Sequence, residues 1–336
     1  MKISILITTY NLEDSFDACI ESVVRQNMPC DWEIIVGDDG STDNTVGHIK
    51  KWIEKYPYNI VLYTLSRDSD DGKTGSRAAR NRAYLLEKAK GDYINFLDGD
   101  DEMVGREKFT TQFNLLEREE NRDCSCCAGN IEAYVIPENR RYLMADKTIP
   151  QKKFSLREYW SYHYFHTNTI LFRKECKELL LHADYRNFIN DNFITFLLLQ
   201  CGKILFVPEV YGVYNMIGNG LWTGHKSVYN SFRNLQLYDL EMYVCPSISD
   251  LIMRKHCSDM YNIMNNYSLE DYSDVKSLLV NLNPDIFIYT LLLSKLEQLS
   301  DKEQQMRRHI YRKVEWNIFL LRGKSGLNKL RKFFIK

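Results

Sequence analysis

The 336-residue sequence has no apolar run long enough to cross a bilayer. Its longest, Ile286 to Leu293, falls far short of the ~18 residues that a spanning helix needs, and the opening Met1 to Tyr10 carries too short an apolar run for a secretory signal. Strong charge of either sign is also missing. The net charge is -1, which argues against a nucleic-acid binder, since such chains are normally basic. Glycine-rich phosphate loops are absent after the first strand-like segment: there is no Gly-x-Gly-x-x-Gly turn, and Gly72-Lys73-Thr74, which looks like the end of a P-loop, has Arg67 where the first glycine belongs. Cys124 to Cys127 holds one Cys-x-x-Cys spacing without a second pair, so a structural zinc site lacks half of its ligands. The nine cysteines therefore read as reduced, mostly buried thiols, and the chain as cytoplasmic. No internal repeat or low-complexity tract stands out.

What is present is ample material for a core, 44% hydrophobic and 13% aromatic, in a length that suits two domains or one domain with an extension. Strand-like and helix-like segments alternate through the first third. The β-branched run Ile3 to Thr8 is followed by helical spacing of Phe16, Cys19, Ile20, Val23 and Val24; the same alternation recurs at Trp32 to Val36, Thr45 to Tyr56, Ile60 to Leu65, Ser76 to Ala89 and Asp92 to Leu97. This order predicts an α/β fold with a mostly parallel sheet covered by helices. Residues 109 to 214 are mixed, with strands expected at Ile131 to Ile136, Thr169 to Phe172 and Ile204 to Pro208 and a helix at Asp191 to Gln200; from Ser227 only helical patterns remain.

In such sheets ligands bind beyond the carboxyl ends of the strands. Three of those ends are polar: Thr8-Thr9-Tyr10-Asn11, Gly37-Asp38-Asp39-Gly40-Ser41 and Asp98-Gly99-Asp100-Asp101. They are expected to share one cleft. Asp98 and Asp100, fixed at a strand end, can close on one hard divalent cation, which takes oxygen ligands and commonly bridges to phosphates. A second Asp-x-Asp, Asp68-Ser69-Asp70, lies in a loop-like stretch with no rigid support. Asp38 and Asp39 have two compatible readings, an acidic turn with Ser41 or Asp43 capping the next helix, or an acceptor for a base or ribose. Arg77 and Arg80, three apart on one helix face, can steady a diphosphate. Asp191 sits at a helix start after Asn190, where Asn190 as N-cap and Asp191 facing the helix dipole would suffice to explain both.

Taken in order, residues 4 to 11, 33 to 45 (Glu-Ile-Ile-Val-Gly-Asp-Asp-Gly-Ser-Thr-Asp-Asn-Thr), 79 to 81 (Ala-Arg-Asn) and 96 to 101 (Phe-Leu-Asp-Gly-Asp-Asp) resemble the family 2 glycosyltransferases with the GT-A fold. The resemblance covers roughly residues 1 to 225, a catalytic domain with a nucleotide-binding half at 1 to 105 and an acceptor-side half at 106 to 225, leaving 226 to 336 as a helical C-terminal region. It implies that Thr9, Tyr10 and Asp39, with Asn11 and Asp38 beside them, contact the nucleotide of a nucleoside-diphosphate sugar, expected to be a UDP-sugar. Asp98 would face the ribose region and support the metal, and Asp100 would hold that metal, Mn2+ or Mg2+. The family's usual Glu-Asp pair, whose Asp is the catalytic base, matches Asn190-Asp191. Residues 213 to 223 resemble a flexible loop over the donor, bringing Trp222 to the donor and His225 to the metal. The expected reaction is inverting transfer of a sugar to a hydroxyl of a glycan or lipid-linked acceptor. Two rival classes are a nucleotide-sugar-binding scaffold that has lost catalysis, with Asn190 as its mark, and a nucleotidyltransferase, which also uses paired carboxylates and metal.

The C-terminal 36 residues are basic and apolar by turns. Ile310, Val314, Ile318 and Leu321 have helical spacing, Leu327, Leu330, Phe333 and Phe334 form a second stripe, and ten arginines and lysines from Arg307 to Lys336 face the single acid Glu315. An amphipathic basic helix of this kind is expected to lie on an anionic membrane surface, or else to pack on the catalytic domain or on a partner subunit with its lysines facing water.

Overall fold

The computed structural model describes residues 1–67, 76–162, 165–217 and 226–249, together with seven positions between 251 and 266. The chain divides into two compact units, Met1–Gly224 and His225–Lys336. Asp68, Asp70, Trp222, His225 and the basic C-terminal stripes, with the expectations placed on them, lie outside the described residues.

The first unit is built on one ten-stranded sheet. Its elements run β1 (Lys2–Thr9), α1 (Phe16–Val24), β2 (Asp31–Asp38), α2 (Thr45–Lys55), β3 (Ile60–Thr64), α3 (Ser76–Lys88), β4 (Tyr93–Asp98), β5 (Glu102–Met103) and α4 (Lys108–Leu116). They continue through β6 (Cys124–Val135), β7 (Arg140–Leu143), β8 (Lys152–Phe154), α5 (Leu156–Tyr162), β9 (Leu171–Arg173), α6 (Lys177–Leu180), α7 (Asp191–Cys201) and β10 (Lys203–Met216). The main strand order is β3-β2-β1-β4-β9-β6-β10-β5. β1 to β4 are mutually parallel, which puts the carboxyl ends of β1, β2 and β4 side by side; β9 then runs antiparallel to both β4 and β6.

Central strands with both faces covered read as unbroken apolar runs. Ile3, Ile5, Leu6 and Ile7 of β1 are fully buried, and Phe16, Cys19, Ile20 and Val23 of α1 close over the same core. Burial of a large aliphatic or aromatic side chain contributes about 1.5–3 kcal/mol each, so this layer fixes the strand ends that carry the polar loops. Cys124, Cys126 and Cys127 are buried free thiols within β6. Burial holds all three well above the usual thiol range, with Cys124 pushed up to about 11.

Two strands are longer than their patterns indicate. β10 continues past Pro208 to Met216 because its pairing with β6 shifts register between Phe206 and Val210, and a bulge tolerates a proline that cannot donate to the ladder. β6 begins at Cys124 because its first half is buried on both faces. In the second unit α8 (Ser227–Val244) buries Phe232 and Leu235 and groups Ser231, Asn234 and Tyr238 around the Asp259 carboxylate at 2.7, 3.1 and 3.0 Å.

Candidate functional site

The loop after β1 and the loop after β2 are stitched together by their own side chains. Asn11 takes a left-handed conformation, φ 52°, which asparagine tolerates better than most residues. Its backbone N–H donates to Ser41 Oγ at 2.9 Å and its Oδ1 accepts from Thr42 N at 2.8 Å. Asp38 is buried and spends both oxygens on the turn, accepting from Gly40 N, Ser41 N and Ser41 Oγ, with Thr9 Oγ1 3.3 Å away. Asp43 Oδ1 accepts from Thr45 N at 3.0 Å, an Asx turn just ahead of α2, whose N-cap is Asn44. Asp38 therefore builds the loop, and Asp39 is left to pair with side chains at the β2 end.

Two arginines meet Asp39. Arg77 of α3 grips it with Nε and Nη2 at 2.9 and 2.8 Å, and Arg67 reaches its Oδ2 at 3.3 Å while lying 3.5 Å over the Tyr10 ring. Tyr10, Asp39 and Arg77 are thus brought to one place. Arg80 stands half-buried on the same helix. α3 packs closely on β2 because Gly37 has no side chain: a Cβ there would sit 2.1 Å from Asn81 Oδ1. Asn81 Nδ2 instead donates to Gly37 O at 2.7 Å.

The β4 end gathers three carboxylates in different states. Asp98 accepts from Thr8 Oγ1 at 3.0 Å and from Arg82 Nη2 at 2.8 and 3.0 Å. Burial works against its charge, but the Arg82 and His166 charges and these hydrogen bonds hold it below the usual carboxylate range. Asp101 is buried and structural, accepting from Asn215 N at 2.8 Å and from Asn168 Nδ2; burial and then the charges of Asp100 and Asp98 push it well up. Asp100 enters no ion pair among the described residues. Burial first and the Asp98 charge second raise its carboxyl to about 6.

Those residues fit a hard divalent cation. Asp100 is a crowded oxygen donor with no ion-pair partner among the described residues, only the Arg82 charge acting on it from a distance, and Asp98 stands beside it on the same strand end. Among the described residues no group of three or more His, Cys, Asp or Glu is disposed to hold a metal ion. Among the described residues one or two carboxylates would thus hold the ion, with phosphate and water able to fill further positions, as is common for magnesium-type sites.

At the start of α7, Asn190 is the N-cap, its Oδ1 accepting from Phe193 N at 3.0 Å. The next residue, Asp191, turns toward the β4 cluster. Its Oδ1 is 3.1 Å from Arg82 Nη2 and its Oδ2 is 3.8 Å from His166 Nε2, yet Oδ1 has no hydrogen-bond partner among the described residues. His166 is 2% exposed, packs against Tyr214 with ring centroids 4.8 Å apart, and is held below the usual histidine range by burial. Sequence reasoning counts Arg82 among the arginines that crowd the start of one helix without giving it a role, and does not single out His166. The only signal for Arg82 is its place beside Arg77 and Arg80, and nothing local marks His166.

A protein-family model described as glycosyl transferase family 2 matches residues 4–180. A stretch of 122 residues is 39% identical to the poly(ribitol-phosphate) beta-glucosyltransferase of Bacillus spizizenii, covering 36% of this chain and 18% of that one. A stretch of 153 residues is 33% identical to the putative teichuronic acid biosynthesis glycosyltransferase TuaG of Bacillus subtilis, covering 45% and 51%. The matches thus span only about a fifth to half of the length of these relatives. Among solved structures, S. aureus TarS 1-349 in complex with UDP-GlcNAc aligns with a TM-score of 0.61 at 18% identity, over 94% of this chain and 90% of that one. Mannosyltransferase PcManGT from Pyrobaculum calidifontis, in complex with GDP-Man and Mn2+, aligns with a TM-score of 0.52 at 14% identity, over 94% and 87%. These likenesses establish a GT-A type fold. With the family model running over more than half of the 336 residues, the chain belongs to glycosyl transferase family 2.

Proposed function

We propose that the chain transfers a sugar from a nucleoside-diphosphate sugar, a UDP-sugar in particular, to a hydroxyl of a glycan or lipid-linked acceptor, with inversion at the anomeric carbon. The observation that carries this reading is the Asp191 carboxylate: a buried oxygen without a hydrogen-bond partner among the described residues, set beside the donor-side cluster. An oxygen in that state can accept the proton of an attacking hydroxyl. As the acceptor oxygen bonds to the anomeric carbon, its proton passes to Asp191 and the bond to the diphosphate oxygen breaks with its electron pair. Asp100, with Asp98, would hold Mn2+ or Mg2+, and when bound that ion offsets the charge gathering on the leaving diphosphate. Tyr10 offers a ring for stacking, and Asp39 with Arg77 offers the polar edge for a base.

Support comes from relatives named for polymer glycosylation and from a similar fold solved with UDP-GlcNAc. Asn190 gives no reason to expect lost catalysis, because it caps the helix and leaves Asp191 in place. The test is a screen of UDP- and GDP-sugars with Mn2+ for thermal stabilisation and for release of the nucleoside diphosphate. Asp191→Asn should lower turnover by about 10² or more while donor affinity stays within a few fold. Wild-type turnover in that variant would confine Asp191 to a structural role. Release of pyrophosphate from a nucleoside triphosphate and sugar phosphate would instead indicate a nucleotidyltransferase, and binding without turnover a scaffold.

A further inference from the structure

Arg82 is 10% exposed at its side chain and lies among the carboxylates of the cluster. A single nitrogen, Nη2, is 2.8 and 3.0 Å from the two oxygens of Asp98 and 3.1 Å from Asp191 Oδ1. The two contacts differ in kind. Those to Asp98 are hydrogen bonds, whereas Asp191 Oδ1 receives the charge without hydrogen-bond geometry. Arg82 is thus anchored on the donor-side strand and attracts the acceptor-side carboxylate while leaving its oxygen open to a proton.

On the opposite side, Asp191 Oδ2 faces His166 Nε2 at 3.8 Å. That imidazole is itself held: its Nδ1 accepts from Asn168 N at 3.4 Å, and Asn168 ties back to Asp101 through Nδ2 and to Asp98 N through Oδ1 at 3.4 Å. The carboxylate of Asp191 therefore sits between an arginine and a histidine that are both fixed to the β4 end.

We infer that Arg82 is a positioning residue for the transfer reaction, holding Asp191 against Asp98 so that the proton acceptor and the donor-binding carboxylates keep one geometry. This rests on reading Asp191 as the base. A plain structural role, pinning α3 to the sheet, is served by other groups: Asn81 bonds to Gly37 O at 2.7 Å, and Ala79, Ala83, Leu85 and Leu86 are buried beneath the helix. A guanidinium is planar, rigid and always charged, so one nitrogen fixed on Asp98 keeps its charge at a set distance from Asp191 better than a flexible ammonium would, which is why an arginine suits the place.

A double-mutant cycle tests the inference on the full chain, with UDP release from UDP-glucose and from UDP-N-acetylglucosamine in Mn2+ as the readout. Arg82→Gln should lower kcat roughly 10- to 100-fold, and the Arg82→Gln/Asp191→Asn double variant should match Asp191→Asn within about twofold, because residues acting as a unit are not additive. Arg82→Lys, which keeps the charge, should recover part of the loss and carries the same cycle where the Gln variant folds poorly. Multiplicative losses in the double variant, or wild-type kcat in Arg82→Gln, would overturn the positioning role while leaving the base reading intact. Wild-type turnover in Asp191→Asn alone would overturn the base reading itself.

Discussion

Removing one negative charge from the β4 end should stabilise the cation-free protein, and Asp100→Asn is the substitution that isolates it. Asp100 is raised from 3.8 to about 6, first by burial and then by the neighbouring Asp98 charge. A raised carboxyl contributes stability that is full below the unfolded value of 3.8 and is lost as pH rises through about 6. Two pKa units correspond to about 3 kcal/mol, and partial exposure to water and salt reduces this to about 1–2 kcal/mol. For a unit of this size, 1 kcal/mol moves the melting temperature by about 2–4 °C. In chelator at pH 8, thermal unfolding of Asp100→Asn should therefore lie about 2–8 °C above wild type, and the gap should close toward pH 4. Adding Mn2+ with UDP should reverse the order: a ligand at 100 times its Kd stabilises by about 2.7 kcal/mol, and the variant should respond weakly. An unchanged or lower melting temperature for the variant at pH 8 would refute the crowding, and equal manganese responses would remove Asp100 from the metal.

Lys108 is fully buried on α4, 4.2 Å over the Phe109 ring, with no hydrogen-bond partner for Nζ among the described residues; burial lowers it to about 7. A lowered lysine costs stability as pH falls from 10.5 through about 7, so Lys108→Met should gain up to about 5 kcal/mol at pH 6 and much less at pH 9.5; urea melts showing a loss at both pH values would dismiss this. The basic C-terminal stripes are proposed to dock on an anionic membrane, each basic residue contributing about 1 kcal/mol before salt and crowding. Among the described residues no helix is long and apolar enough to cross a membrane. Truncation after Ser300 should abolish co-sedimentation with phosphatidylserine-containing vesicles, and equal pelleting of both forms, or of neither, would exclude the docking.

The sequence alone determined the alternation of strands and helices, and with it the three polar strand ends, because two-residue and 3.6-residue periodicities are local properties of the chain. It also placed Asp98, Asp100 and Asp191 at element ends, where Gly99 and Asn190 mark the turn and the cap. Strand lengths were legible only where alternation or β-branching persisted. Pro208 reads as the end of β10, yet pairing with β6 carries the strand through a bulge. The division of labour among the acids was decided by tertiary structure. Asp38 and Asp101 turn inward to hold loops, while Asp39 and Asp191 meet arginines, and no spacing rule separates these pairs. Arg82 and His166 depended on tertiary structure most of all. Their meaning lies in distances of 3.1 and 3.8 Å to Asp191, residues separated by more than a hundred and by twenty-five positions in the chain. Such contacts exist only once β4, α3 and α7 have packed, since electrostatics acts through space and leaves no periodic trace along the sequence.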